Sequence, residues 1–268
     1  MKKTLSVEGS AIHYRVLGSG GTVILVHGFG ETGAVWDRQA AYFENKYRLI
    51  IPDLPGSGSS ELIADMSMSG MAEIVKKIAE QEAVPGEKPV LIGHSMGGYI
   101  ALAYAEKYAN ELSGFGLFHS TAYADNDEKK ATRRKGIEFI REHGAFAFLK
   151  NTSPKLFSEH TKKENPDLVE GFIQSLSNFS PEALVSYYEG MIDRPDRTAV
   201  LEKSPWPVLF IAGEHDTAIP LEDILKLCRI PEKSYIHTLS KSGHLGMLEE
   251  TDRSNQILEE YLAELNHL

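Results

Sequence analysis

Apolar residues in this chain are grouped in two alternating patterns. Short unbroken runs occur at Thr22-Val23-Ile24-Leu25-Val26, Pro89-Val90-Leu91-Ile92, Phe115-Gly116-Leu117-Phe118 and Pro207-Val208-Leu209-Phe210-Ile211-Ala212. Runs of that length predict strands covered on both faces. Tyr47-Arg48-Leu49-Ile50-Ile51 and Tyr235-Ile236-His237-Thr238-Leu239 extend the series. Helical spacing lies between them. Met71, Ile74, Val75, Ile78 and Ala79 share one helix face, and Trp36 to Phe43 is a helix candidate. Leu248, Ile257, Leu258, Tyr261, Leu262 and Leu265 mark an amphipathic final helix. Residues Thr4 to Leu17 alternate instead and turn at Glu8-Gly9-Ser10, which predicts a hairpin at the sheet edge. The alternation predicts an α/β fold with a mostly parallel, doubly wound sheet flanked by helices.

The rhythm stops between about Tyr123 and Ser204. No strand run occurs there, and helical patterns are punctuated by Gly136, Gly144, Pro154, Pro166, Pro181 and Pro195. The segment is rich in aromatics: Phe139, Phe146, Phe148, Phe157, Phe172, Phe179, Tyr187 and Tyr188. The chain therefore reads as a core domain, residues 1–121 and 205–268, carrying a helical cap insertion at 122–204. A cap excludes water from a site beneath it and supplies pocket wall. Most of its aromatics are expected to form its own core.

Candidate chemistry begins after the second of the unbroken runs. Gly93-His94-Ser95-Met96-Gly97-Gly98 joins that strand to a helical run starting at Tyr99. Strand, G-x-S-x-G turn and helix are the parts of a nucleophile elbow. The turn is so tight that the residues two before and two after the serine must lack a Cβ, and Gly93 and Gly97 do. The helix N-terminus below Ser95 favours developing negative charge. Upstream, His27-Gly28-Phe29-Gly30 follows a central strand. Acyl transfer needs two backbone donors aimed at the oxyanion, and the amides of Phe29 and Met96 are the candidates. Downstream, Gly213-Glu214-His215-Asp216 and Ser242-Gly243-His244 each follow a strand. Ser95 is then the nucleophile, His244 the base, and Asp216 the acid that orients it, with Glu214 as the alternative acid.

These motifs, with Pro52-Asp53-Leu54-Pro55-Gly56-Ser57-Gly58-Ser59, resemble the α/β-hydrolase fold family over nearly the whole chain. The resemblance implies a Ser95–Asp216–His244 triad, and a serine at the elbow disfavours dehalogenase and epoxide hydrolase chemistry. Cleavage of a small carboxylic ester, thioester or lactone through an acyl-enzyme is the leading expectation. The alternatives are carbon–carbon bond hydrolysis, enol-lactone opening, a lyase or cyclisation step, or a low-turnover ligand receptor. A cap Arg or Lys aimed at a substrate carboxylate would favour a diacid or aromatic acid. Arg133, Arg134, Arg141 and Arg194 are candidates, with none singled out.

Composition narrows the partners. The formal net charge of −10 argues against nucleic-acid and anionic-membrane partners. Lys129-Lys130 and Arg133-Arg134-Lys135, the densest basic cluster, read as one solvated helix face. A single cysteine, Cys228, excludes an internal disulfide and reads as a buried, inert thiol. Met1-Lys2-Lys3-Thr4 begins like a signal peptide, but no apolar stretch follows, so a cytoplasmic protein with a small-molecule substrate is expected. Asp53 is expected to anchor its own Gly-rich turn, His94 to pack beside the strand end, and His119 to be unfit as an acid. No H-x-x-x-H pair or phosphate-loop spacing occurs among the site motifs, so no metal and no cofactor are expected. Oligomeric state is left open.

Overall fold

The computed structural model describes residues 1–265. The chain opens with β1 (Lys2–Val7) and β2 (Ser10–Leu17), an antiparallel hairpin. Glu8 and Gly9 both take positive φ at its tip, 51° and 94°, the twist that a two-residue hairpin turn needs. Then follow β3 (Thr22–Val26), α1 (Asp37–Phe43), β4 (Arg48–Pro52), α2 (Met68–Gln81), β5 (Val90–His94), α3 (Met96–Tyr108) and β6 (Gly114–Phe118). Next come helices α4 (Asp127–His143), α5 (Ala145–Thr152), α6 (Glu159–Glu164), α7 (Pro166–Ser175), α8 (Pro181–Asp193) and α9 (Thr198–Glu202). The chain returns to the sheet with β7 (Val208–Gly213), α10 (Leu221–Leu227) and β8 (Ser234–Leu239), and closes with α11 (Gly246–Glu249) and α12 (Thr251–Leu265).

The eight strands form one sheet in the order β1-β2-β4-β3-β5-β6-β7-β8. Pairing is parallel from β4 to β8 and antiparallel at the β1–β2 and β2–β4 contacts. Side chains alternate across the sheet. Ile24 and Val26 meet the layer of α2 and α3, while Val23 and Leu25 meet Trp36, Phe43, Ile257 and Leu258 on the other side. Both faces are covered, which is why β3 is buried at every position. Every residue of α3 from Met96 to Ala105 is buried as well, so it has no polar face to present.

Register aligns the strand ends. Val26 pairs with Gly93, His94 with Phe118, Phe118 with Ile211, and Gly213 with Leu239. The loops leaving β3, β5, β6, β7 and β8 therefore emerge on one edge, the carboxyl edge where open α/β sheets place their ligands. Helices α4 to α9 enter between β6 and β7, with no strand among them in the described residues. Tyr187 of α8 is buried and donates its hydroxyl to Pro55 O at 2.6 Å, fastening these helices to the loop after β4. Cys228 differs from expectation: it caps α10, is partly exposed, and its Sγ faces Leu225 O at 3.5 Å. The seven-residue α10 ends there, and Cys228 packs against the edge of the core without being enclosed by it. No helix of the described residues is long and apolar enough to cross a membrane.

Candidate active site

Ser95 stands at φ 51°, ψ −116°, between β5 and α3. A positive φ at a non-glycine residue costs about 1–3 kcal/mol and persists only where neighbours enforce it. Here Ser95 N–H donates to Phe118 O at 3.0 Å, and Ser95 O accepts from Gly98 N–H and Ser120 Oγ–H. The glycines are sterically required. A Cβ on Gly93 would lie 2.2 Å from Gly97 O, and one on Gly97 would lie 2.4 Å from Val26 O.

A hydrogen-bonded chain leads away from the serine. Ser95 Oγ is 2.8 Å from His244 Nε2, and His244 Nδ1 is 2.7 Å from Asp216 Oδ2. Asp216 Oδ1 accepts the N–H groups of Ala218 and Ile219 at 2.8 and 3.0 Å. Glu214 and His215, on the same loop, are exposed, and Asp216 is the carboxylate that meets His244. Burial alone would raise the Asp216 pKa. The His244 and His119 rings outweigh it and hold the carboxyl far below the usual carboxylate range.

His119 is a partner that sequence reasoning set aside. It cannot replace the acid, but its Nδ1 donates to Asp216 Oδ2 at 3.2 Å. Its Nε2 accepts from Gly246 N–H at 3.2 Å, which fixes the tautomer. Burial pushes its pKa down to about 4, against the pull of Asp216, so it stays a neutral donor. His119, Asp216 and His244 bring three ligand-type atoms within 4.8 Å of one another, but these are engaged in the hydrogen bonds just described.

A second pair lies beneath the serine. His94 is fully buried, with Nδ1 3.0 Å from Glu31 Oε2 and Nε2 2.9 Å from His244 O. Both partners are acceptors, so both ring nitrogens carry protons. Burial opposes that charge, yet Glu31 and the His244 carbonyl outweigh it and raise the His94 pKa. Glu31 is held low in turn by His94 and by the Gly28 N–H that it accepts at 2.7 Å. Expectation had only packing for His94; the pair ties the loops after β3, β5 and β8 together.

The turn after β3 is pressed against the elbow. A Cβ on Gly28 would lie 3.1 Å from Ser95 Cβ. His27 donates Nδ1–H to Gly28 O and accepts Leu54 N–H at Nε2, both at 2.9 Å, so its side chain braces the turn. Neither Phe29 N–H nor Met96 N–H donates to another group among the described residues. Asp53 works at longer range than expected: its Oδ1 accepts Gly33 N–H at 2.8 Å and joins two strand-end loops. Glu249 holds the His244 loop through the N–H groups of Gly243 and Leu245. It also reaches Ser158 N–H and Thr161 Oγ among the inserted helices.

A cavity of about 230 Å³ opens over Ser95 and His244. Phe29 stacks on Tyr188 there, ring centroids 4.3 Å apart, with Phe148 edge-on to both. Tyr188 faces the cavity, whereas Phe148, Phe157 and Tyr187 are buried. Lys129 and Arg133 also line it, which corrects the reading of their cluster as a solvated face. Only part of that face is solvated: Arg134 is exposed, while the Arg133 side chain is 12% exposed and held by Asp125. Lys129 and Arg133 are spaced i, i+4 in the sequence, a signal that they share one side of α4.

Comparison with known proteins agrees with this fold. Residues 21–251 match the family model described as the alpha/beta hydrolase fold. The chain is 25% identical to 3-oxoadipate enol-lactonase 2 of Acinetobacter baylyi, over 99% of this chain and 98% of that protein. It is 25% identical to the pimeloyl-[acyl-carrier protein] methyl ester esterase of Methylococcus capsulatus, over 92% and 96%. The solved structure of a thermophilic esterase from Thermogutta terrifontis superposes with a TM-score of 0.91 at 31% identity, covering 99% of each chain.

Proposed function

The chain belongs to the alpha/beta hydrolase fold family. From that premise we propose a cofactor-independent serine hydrolase that cleaves a small carboxylic ester, thioester or lactone through an acyl-enzyme on Ser95. The observation that carries this reading is the unbroken chain Ser95 Oγ–His244–Asp216, set beside two uncommitted amides at Phe29 and Met96. Relatives named for a lactone and for a methyl ester support the same bond class. Residues 122–204 act as a cap over the site, and the Phe29–Tyr188 stack supports that role.

Ser95 Oγ attacks the substrate carbonyl carbon while its proton passes to His244 Nε2. The carbonyl π-pair moves to oxygen, and the N–H groups of Phe29 and Met96 hold that oxyanion at the α3 N-terminus. Collapse breaks the acyl–oxygen bond, and the leaving alcohol takes the proton from His244. Water then attacks the acyl carbon as His244 accepts its proton; collapse returns that proton to Ser95 Oγ and releases the acid. Ionised Asp216 keeps His244 in the tautomer with the proton on Nδ1, and His119 keeps Asp216 in line.

Release of p-nitrophenol from short p-nitrophenyl esters by wild type and Ser95→Ala tests the proposal. Wild type turns over, Ser95→Ala loses at least roughly 10³-fold, and a fluorophosphonate adduct maps by mass to Ser95. Ser95→Ala activity equal to wild type, or a folded wild type inert to all esters and unlabelled at Ser95, overturns it.

A further inference from the structure

The inserted helices bring charge to the cavity as well as apolar wall. Lys129 and Arg133 sit one turn apart on α4 and line the cavity with Ser95 and His244. Behind Arg133 lies Asp125, its carboxylate 0% exposed. That carboxylate receives Arg133 Nε at 2.5 Å and Arg194 Nη2 at 2.9 Å. One anion faces two guanidiniums, so one positive charge is left over.

Arg194 is buried and does not line the cavity. It reaches Met191 O and Tyr123 O and stacks on Tyr99 at 3.9 Å. Arg133 does line the cavity, its guanidinium 5.5 Å from the centre of the Tyr188 ring. Its Nε and Nη2 edge is spent on Asp125, and Nη1 bonds nothing among the described residues. Lys129 Nζ donates to Ala218 O at 3.0 Å and has no carboxylate partner among the described residues. Glu31, the one carboxylate among the residues lining the cavity, is already committed to His94 and Gly28 N–H. Two cations with unused N–H donors thus border the serine in a chain whose net charge is −10. Buried or half-buried cations are costly unless an anion answers them.

We infer that Lys129 and Arg133 form a carboxylate subsite, and that the preferred substrate is a short ester bearing a carboxylate on its acyl or alcohol side. The inference rests on the Ser95 hydrolase reading. Arg133 is preorganised by Asp125 and presents a fixed N–H, while Lys129 supplies a mobile point charge. At about 230 Å³ the cavity falls below the ~300–1,000 Å³ that takes drug-sized ligands, so the carboxylate must lie close to the reacting carbonyl.

The test compares charge at constant shape. Methanol release is measured from the monomethyl esters of succinate, glutarate and adipate and from their neutral terminal amides. For the alcohol side, acetate esters of glycolate and 3-hydroxypropionate are compared with their amides. At least one acid exceeds its amide about tenfold in kcat/KM, the scale of one charge-assisted hydrogen bond. Lys129→Met lowers that acid-to-amide ratio by about tenfold, and added salt lowers it in wild type. Lys129 is chosen because Arg133→Met would strand Asp125. Ratios of one or below, with the amides turned over, overturn the subsite and leave the hydrolase standing. If no ester is cleaved, the hydrolase reading fails and binding decides the subsite. Glutarate raising the Tm of Ser95→Ala, with no rise in Ser95→Ala/Lys129→Met, sustains it; no rise in either overturns it.

Discussion

Glu31 and His94 show what a single buried pair does for this enzyme. Glu31 is 2% exposed, and removing one partner of such a pair leaves an uncompensated buried group at a cost of about 3–5 kcal/mol. The His94 pKa is raised in the folded state, so its contribution is fully present below the ordinary value of 6.5 and is lost as pH rises through the folded value. Glu31 is lowered, so its contribution is present above 4.5 and is lost as pH falls through the folded value. In Glu31→Gln the anion is gone, and burial pushes His94 toward the neutral ring. The sign of its linkage then reverses: stability is gained as pH rises from the lowered folded value to about 6.5 and is fully present above it. Urea unfolding of Glu31→Gln at pH 6 and pH 8 therefore yields a stability difference shifted in favour of pH 8 relative to wild type. An unchanged pH dependence would mean that His94 does not hold its charge through Glu31.

The elbow is where a whole element depends on missing atoms. Gly97, the second residue of α3, lies against the end of β3; an added Cβ would meet Val26 O at 2.4 Å and His27 O at 2.6 Å. Those are backbone atoms, and moving them would displace the turn that carries Phe29. Gly97→Ala is expected to lose at least about 2 kcal/mol of stability, beyond ordinary overpacking with flexible neighbours. Its kcat/KM is expected to fall by about 10²-fold or more, because a shift near 1 Å misaligns the attack. Gly171 in α7 is the control. Nothing lies within 4 Å of a Cβ there, so Gly171→Ala gains about 0.5–1 kcal/mol from helix propensity and leaves kcat/KM within twofold. Denaturant midpoints and initial rates for both variants check the contrast.

At the scale of the molecule, the cavity exists because helices α4 to α9 close over the carboxyl edge of the sheet. Leu156 O accepts His244 N–H at 2.6 Å, and Ser158 N–H reaches Glu249, so the same helices also hold the His244 loop. A cavity of about 230 Å³ admits short chains and excludes long ones while this contact persists. For neutral p-nitrophenyl esters, kcat/KM is expected to peak between acetate and butyrate and to fall more than about tenfold by decanoate, because further methylenes gain no burial and must displace the cavity wall at a cost of about 1–3 kcal/mol. A profile that rises steadily to decanoate would mean that the inserted helices open in solution.

The sheet, the elbow and the candidates Ser95, His244 and Asp216 or Glu214 were legible along the chain. Those features are local. Period-2 and unbroken apolar runs place strands, and a turn that tolerates no Cβ writes itself as Gly93 and Gly97 around Ser95. Pairing across long separations emerged with the packed structure alone. Glu31 and His94 meet over 63 positions, and His119 and Asp216 over 97. In the sequence an acidic residue after a turn or a basic run on a helix carries no mark of its partner. The choice of Asp216 over Glu214 and the aim of Lys129 and Arg133 into the cavity are likewise set by packing. A side chain's charge state depends on what surrounds it, and register and helix placement supply those surroundings.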